Sequence, residues 1–252
     1  MHRSSHDYTH LIGRWRVLAS SLGLRLSLIA KVDGYPIYCV KSARLRSAPG
    51  VYLSAGIHGD EPASTEGLLA WAEGNPVCLR EMPFLIFPCL NPWGLVRNKR
   101  SDASGNDVNR TFQGDEHPTS AAVRRVAEAH RLAAAMLLHE DYDAHGIYLY
   151  EQRQPSLFGE LILQAAETFI PRDTRTRVDG RKAREGILRP RLSAKLFEKG
   201  GCPEAVWLHL RGCRRTVTFE TPSEMSLEAR TLAQVAAIER LVDLQRQGAD
   251  EG

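Results

Sequence analysis

The stretch YLSAGIHGDEPAS, residues 52–64, places a histidine and two acids directly behind a run of apolar and small residues. His58 and Glu61 are three apart on a loop that leaves a strand, and in a turn their side chains can converge on one point. An imidazole nitrogen and a carboxylate oxygen are good zinc ligands, and a catalytic zinc takes three protein ligands and keeps one position open. His139, at the end of the apolar run AMLLH, could supply the third. The H-x-x-E spacing alone is weak, because a loop His and Glu more often hydrogen-bond the backbone. A second block, NPWGLVRNKRSDASGNDVNRTF (residues 91–112), is a polar loop with Asn91-Pro92, Gly94 and Gly105 as turn formers. Its Arg97, Arg100, Asn109 and Arg110 are candidate anion binders or orienters. Fixed guanidiniums suit the two-pronged grip of a carboxylate or the stabilisation of a developing oxyanion. A solvated basic loop is the plain alternative.

These groups need elements to hold them. LRLSLIAKV and GYPIYCVKSARL predict two strands around a hairpin at Asp33-Gly34. GVYLSAGI predicts a short buried strand, MPFLIFPCLNP a strand stopped at Asn91-Pro92, and TVTFETP a β-branched strand ending in Glu220 and Pro222. STEGLLAWAEG predicts a helix capped by Ser64 or Thr65, and PTSAAVRRVAEAHRLA one capped by Thr119 or Ser120. SLEARTLAQVAAIERLVDLQRQ is the clearest amphipathic helix. Strands alternating with helices imply an α/β fold, three-layer αβα, with a central mixed, mostly parallel twisted sheet. Ligands of such sheets sit beyond the carboxyl ends of strands. Three predicted strands finish in residues that a core rejects, namely His58, His139 and Glu220, so the site is expected there.

Bulk properties narrow the class. The 252 residues suffice for one large core and are expected to form a single catalytic domain, with residues 1–20 an irregular or helical extension. The 33 basic and 30 acidic residues leave a net charge of +3, too balanced to argue for nucleic acid or an anionic membrane. No apolar run is long enough to span a bilayer, and no secretory signal is evident. Five cysteines without a C-x-x-C read as reduced and mostly buried, which points to the cytoplasm. Oligomeric state is not legible.

HGDE, NPWG, RSDASGNDVNR and TFETP, in this order, resemble the zinc metallocarboxypeptidases. The likeness is stronger to their short bacterial branch, near the murein peptide amidases, and the succinylglutamate desuccinylases and aspartoacylases share the skeleton. The resemblance covers about residues 35–241. It implies Zn2+ held by His58, Glu61 and a histidine in a Leu-His step. His139 is in that step, whereas His145 lies in a polar turn. It implies Glu220 as the catalytic glutamate and Asp107 as the acid that holds His58. It further implies Asn109 and Arg110 as the grip on a substrate carboxylate, and Arg100 as the oxyanion arginine with Arg97 as the alternative. The implied function is hydrolysis of an amide next to a carboxylate in a peptide, with a cell-wall peptide as one candidate substrate. The alternative is deacylation of an N-acyl amino acid, and a non-catalytic binding protein on the same scaffold is the remaining reading.

The chain also departs from that pattern. No Tyr lies between Glu151 and Glu220, where larger carboxypeptidases place a mobile one. Tyr148 and Tyr150 either substitute for it or are strand aromatics. Glu140, Asp141 and Asp143 add negative charge beside the expected metal, either for a basic substrate group or as a solvated turn. Residues 169–201, with ten Lys or Arg, read as a long surface segment over the cleft. The specificity pocket is expected between Glu151 and Phe219.

Overall fold

The computed structural model describes residues 5–151, 158–190 and 201–250. Helix α1 (Tyr8–Ser21) precedes the hairpin β1 (Arg25–Val32) and β2 (Tyr35–Lys41). Asp33 and Gly34 both have positive φ (52° and 84°), the backbone that a two-residue hairpin turn demands. Then come β3 (Gly50–Ser54), α2 (Pro62–Gly74), α3 (Pro76–Glu81), β4 (Phe84–Phe87), α4 (Pro92–Arg97), α5 (Pro118–Glu128) and β5 (Leu132–Asp141). The remainder is β6 (Tyr148–Glu151), α6 (Phe158–Ala166), β7 (Arg177–Val178), β8 (Arg181–Arg184), β9 (Ile187–Leu188), α7 (Glu204–Leu210), β10 (Arg215–Pro222) and α8 (Leu227–Asp250).

The strands form one mixed sheet in the order β1-β2-β4-β3-β5-β10-β6-β9-β8-β7. Its centre, β4-β3-β5-β10, is parallel throughout. Both flanks are mainly antiparallel, with β6 and β9 parallel. The central strands are buried on both sides, as a covered parallel sheet requires. Alternate residues therefore feed two cores. Leu53, Ile86, Met136, Leu138 and Phe219 pack in one, with residues of α1, α2, α6 and α8. Tyr52, Leu85, Phe87, Ala135 and Leu137 pack in the other, with residues of α5 and α7. This is the three-layer αβα arrangement expected from the sequence.

Several local expectations shift. The two caps are displaced because proline occupies N1 in both helices. Glu61 precedes Pro62 and His117 precedes Pro118 at the N-cap positions, and neither side chain caps. Ser64 and Thr65 instead hydrogen-bond back to Glu61 O and Pro62 O. The basic segment is not one surface excursion. Residues 177–188 add three short strands to the sheet beyond β6, because the Asp179-Gly180 turn (φ 50° and 69°) folds β7 onto β8. Its residues 191–200 lie outside the described residues. The N-terminal extension is helical, and all five cysteines are free and buried.

Candidate metal centre

The site is assembled at the carboxyl ends of β3, β5 and β10. β3 stops at Ser54, so His58 stands four residues further on, in the connection to α2. That connection is fixed by glycine. Gly56 has φ +61°, and a Cβ there would lie 2.7 Å from Thr65 Cγ2 and 2.9 Å from Cys89 Sγ. A Cβ on Gly59 would sit 2.0 Å from the Gly94 carbonyl carbon, so HG and NPWG are two halves of one backbone contact. Asn91 caps α4 through its Oδ1, which accepts from Gly94 N at 2.9 Å, and its Nδ2 donates to Arg100 O. Gly59 N donates to Lys99 O at 3.1 Å. The second block thus holds the first in place.

His58, Glu61 and His139 come together with all ligand atoms within 4.8 Å of one another, and all three are buried. His58 Nδ1 lies 2.6 Å from Glu61 Oε1, and His139 Nδ1 lies 2.9 Å from Glu61 Oε2. The latter contact lacks hydrogen-bond geometry, so Oε2 is a buried carboxylate oxygen without a hydrogen-bond partner. Two imidazole nitrogens and such an oxygen, facing one point, are the donor set of a catalytic zinc. The residues fit the ion. His145 is exposed and outside the cluster.

The remaining sequence-derived residues distribute around this trio. Asp107 Oδ1 lies 3.1 Å from His58 Nε2, and its Oδ2 accepts from Arg100 Nη2 at 3.2 Å. Arg100 Nη1 reaches Glu61 Oε1 at 3.5 Å. Arg97 instead stacks over Trp93, 4.6 Å from the ring centroid, and hydrogen-bonds Tyr35 OH, away from the trio. Asn109 Oδ1 accepts from Glu204 N, which leaves the amide NH2 for a ligand. Glu220 pairs in register with His139 on β5 and with Tyr148 on β6. Cross-strand partners share a face, so Glu220, His139 and Tyr148 form one row, with Thr218 and Tyr150 in the next. A cavity of about 530 Å³ is lined by the trio, Arg100, Asn109, Arg110 and Glu220.

The three extra acids part ways. Glu140 is buried and is absorbed by the scaffold: it accepts from Ala63 N at the start of α2 and pairs with Arg230 of α8. Asp143 is exposed. Asp141 lines the cavity and accepts from Tyr148 OH at 2.9 Å. Tyr150 OH donates to Asp179 at 2.6 Å. Both tyrosines are strand residues, and both also line the cavity. Asp179 and Arg181, at the β7–β8 turn, line it too and were not singled out from the sequence. The Asp-Gly turn signal between them would have found them. Glu204, fully buried, was missed as well, because an acid in a helix's first turn normally needs no further explanation.

Electrostatics follow from this packing. Burial lowers His58, but Glu61, with Asp107, outweighs it and raises the ring to about 9. Burial raises Glu61, yet His58 and His139 bring it below the usual carboxylate range. Burial also raises Asp107, and His58 and Arg100 more than reverse this. Burial pushes Glu220 up to about 8, where His139 opposes and Glu61, Asp141 and Asp179 assist.

Comparison with known proteins agrees with the geometry. The family model for the succinylglutamate desuccinylase/aspartoacylase catalytic domain matches residues 47–146. The carboxypeptidase SOL1 of Arabidopsis thaliana is 30% identical over 111 residues, which is 37% of this chain and 22% of that protein. The chain thus matches less than a quarter of that relative's length. Among solved structures, a candidate metallopeptidase from Shewanella denitrificans superposes with a TM-score of 0.82 at 21% identity, covering 95% of this chain and 91% of that one. A metallo-carboxypeptidase from Burkholderia cenocepacia superposes with a TM-score of 0.69 at 18% identity, covering 94% and 70%. The superpositions show that the chain has the fold of these metallopeptidases and metallo-carboxypeptidases, and within that fold residues 47–146 are similar to the succinylglutamate desuccinylase/aspartoacylase catalytic domain.

Proposed function

We propose that the protein is a zinc-dependent hydrolase that cleaves an amide bond next to a carboxylate in a peptide. The observation that carries this reading is the convergence of His58, Glu61 and His139 beside Glu220, in one cavity with Asn109 and Arg110. Zinc held by the trio would supply carbonyl polarisation and a water of lowered pKa. The chain's own groups do the rest. Arg110 and the Asn109 amide bind the substrate carboxylate and so fix the distance from it to the scissile amide. Glu220 takes the proton from the attacking water and returns it to the leaving nitrogen. Its raised affinity for a proton suits both transfers. Arg100, already turned toward Glu61 and Asp107, is placed to steady charge on the carbonyl oxygen.

A second reading, deacylation of an N-acyl amino acid, draws on the family model matched over residues 47–146. It uses the same residues and differs only in what fills the cavity. The test begins with metal content. Purified protein should carry about one zinc per chain, lost in His58→Ala, Glu61→Gln and His139→Ala while the fold persists. A zinc-reconstituted wild type that retains none would sink the hydrolase reading and leave a binding protein on this scaffold. Turnover of peptides against small acyl amino acids then separates the two chemistries.

A further inference from the structure

Glu204 is a buried acid that the reaction above does not use. It opens α7, which packs over the sheet face that carries His139. On that face Tyr52 pairs with Ala135, Ser54 pairs with Leu137, and His139 is the next residue along β5. Glu204 is 0% exposed. Its Oε1 accepts a hydrogen bond from Tyr52 OH. Its backbone N–H donates to Asn109 Oδ1 at 2.9 Å. Among the described residues its Oε2 accepts no hydrogen bond of good geometry, although the Ser54 hydroxyl also acts on the carboxyl. His139 presents the complementary deficit. Its Nδ1 is turned to Glu61, and its Nε2, equally buried, has no partner either. Burial raises the Glu204 carboxyl to about 7, and Tyr52, His139, Ser54 and His58 pull against that rise.

Burying a carboxylate costs several kcal/mol unless a positive group or donor compensates it. Glutamine would fill the same space and still accept from Tyr52. A carboxylate is the better choice only if a cationic neighbour uses it. His58 already has such a carboxylate in Asp107, whereas among the described residues the outer nitrogen of His139 has no hydrogen-bond partner.

We propose that Glu204 is the positioning carboxylate of His139, taking the Nε2–H through its Oε2, directly after a small side-chain adjustment or through one buried water. The imidazole is thereby held in the tautomer that offers Nδ1 to the metal. Glu204 is not a catalytic residue. Because its backbone also holds Asn109, one residue ties a metal ligand to the group that grips substrate.

The inference rests on the zinc reading, and the test separates the two. Zinc is titrated against a competing chelating dye into wild type, Glu204→Gln and Tyr52→Phe. Apo thermal stability and the 15N signals of His139 are recorded beside it. In Glu204→Gln the amide NH2 faces the imidazole N–H, so zinc affinity should fall about 10–100-fold and the His139 tautomer signal should move. Apo stability should hold or rise. Tyr52→Phe frees the carboxylate from its anchor and should weaken zinc to a smaller extent, which provides a reading if the glutamine variant does not fold. Zinc affinity within twofold of wild type in the folded variants, with His139 unmoved, would overturn the inference and leave the zinc site standing. A wild type that binds no zinc would remove the site and the inference together.

Discussion

At the scale of single residues the site is an exercise in placing unlike charges in a dry corner. His58 holds its proton up to about 9 because Glu61 and Asp107 outweigh its burial. A metal must displace that proton, so zinc and hydrogen ion compete for the ring. The sign is therefore fixed: zinc binds more tightly as pH rises, and the gain ends near the ring's own pKa. Zinc titrations between pH 6 and 8 should show roughly a tenfold gain per pH unit for one released proton. A flat profile would mean that the ring carries no proton in the metal-free protein. Glu220 belongs to the same scale but answers a different assay. Glu220→Gln keeps the size and removes the carboxylate proposed as the base, so hydrolysis should fall about 10²–10⁴-fold with zinc content unchanged. Loss of zinc in this variant would reassign Glu220 to the metal's support. Much of this was legible in the sequence because His58, Glu61, Arg100, Asp107 and Asn109 lie in two short blocks whose residue types declare their chemistry. Glu204 was not legible, since its partners Tyr52 and Asn109 are 152 and 95 positions away.

At the scale of elements, two turns matter more than any helix. The backbone of His58-Gly59 lies against that of Gly94, and α4 is held in turn by Asn91. Gly59→Ala would put a methyl group 2.0–2.5 Å from the Gly94 and Leu95 backbones, where no flexible side chain can yield. The strain should cost at least the 1–3 kcal/mol of ordinary overpacking, read as a lowered urea midpoint. Because the displaced residue adjoins His58, zinc affinity should fall with it. Gly74, with open space around it, is the control: Gly74→Ala should leave zinc affinity unchanged. Sequence pattern located the strands and the long helix well, because buried parallel strands are continuous apolar runs and α8 is amphipathic. It missed β7–β9 because their burial alternates among arginines and lysines, so composition described a surface. It displaced two caps because proline, not serine or threonine, starts those helices.

At the scale of the molecule, the cleft has one wall from the central sheet and another from the late β7–β9 limb, and the second is joined to the sheet by strand pairing and by a buried carboxylate, Asp173, that accepts from the His145 backbone. Asp173 is 1% exposed and accepts from His145 N, from Arg175 N and from the Arg175 guanidinium. Ile147 bridges to Arg172 beside it. Burial alone would raise Asp173, but Arg175 and the backbone donors hold it below the ordinary carboxylate value. Asp102 is held down in the same sense by His117 and Asn106, against its own burial, and it organises the loop that bears Arg100, Asp107 and Asn109. A depressed folded pKa contributes stability that is complete above the unfolded value, near 3.9 for Asp, and is lost as pH falls through the folded one. Acid should therefore loosen both rims of the cleft before the apolar sheet beneath them gives way. Thermal unfolding of the metal-free protein between pH 6 and 2.5 should show the melting temperature falling below about pH 4. Asp173→Asn should start lower at pH 6 and fall less steeply, because it has no proton left to take up at that position. Parallel acid limbs in wild type and variant would show that the Asp173–Arg175 contact adds nothing to the fold. The β7–β9 wall would then have to be held by its strand pairing alone.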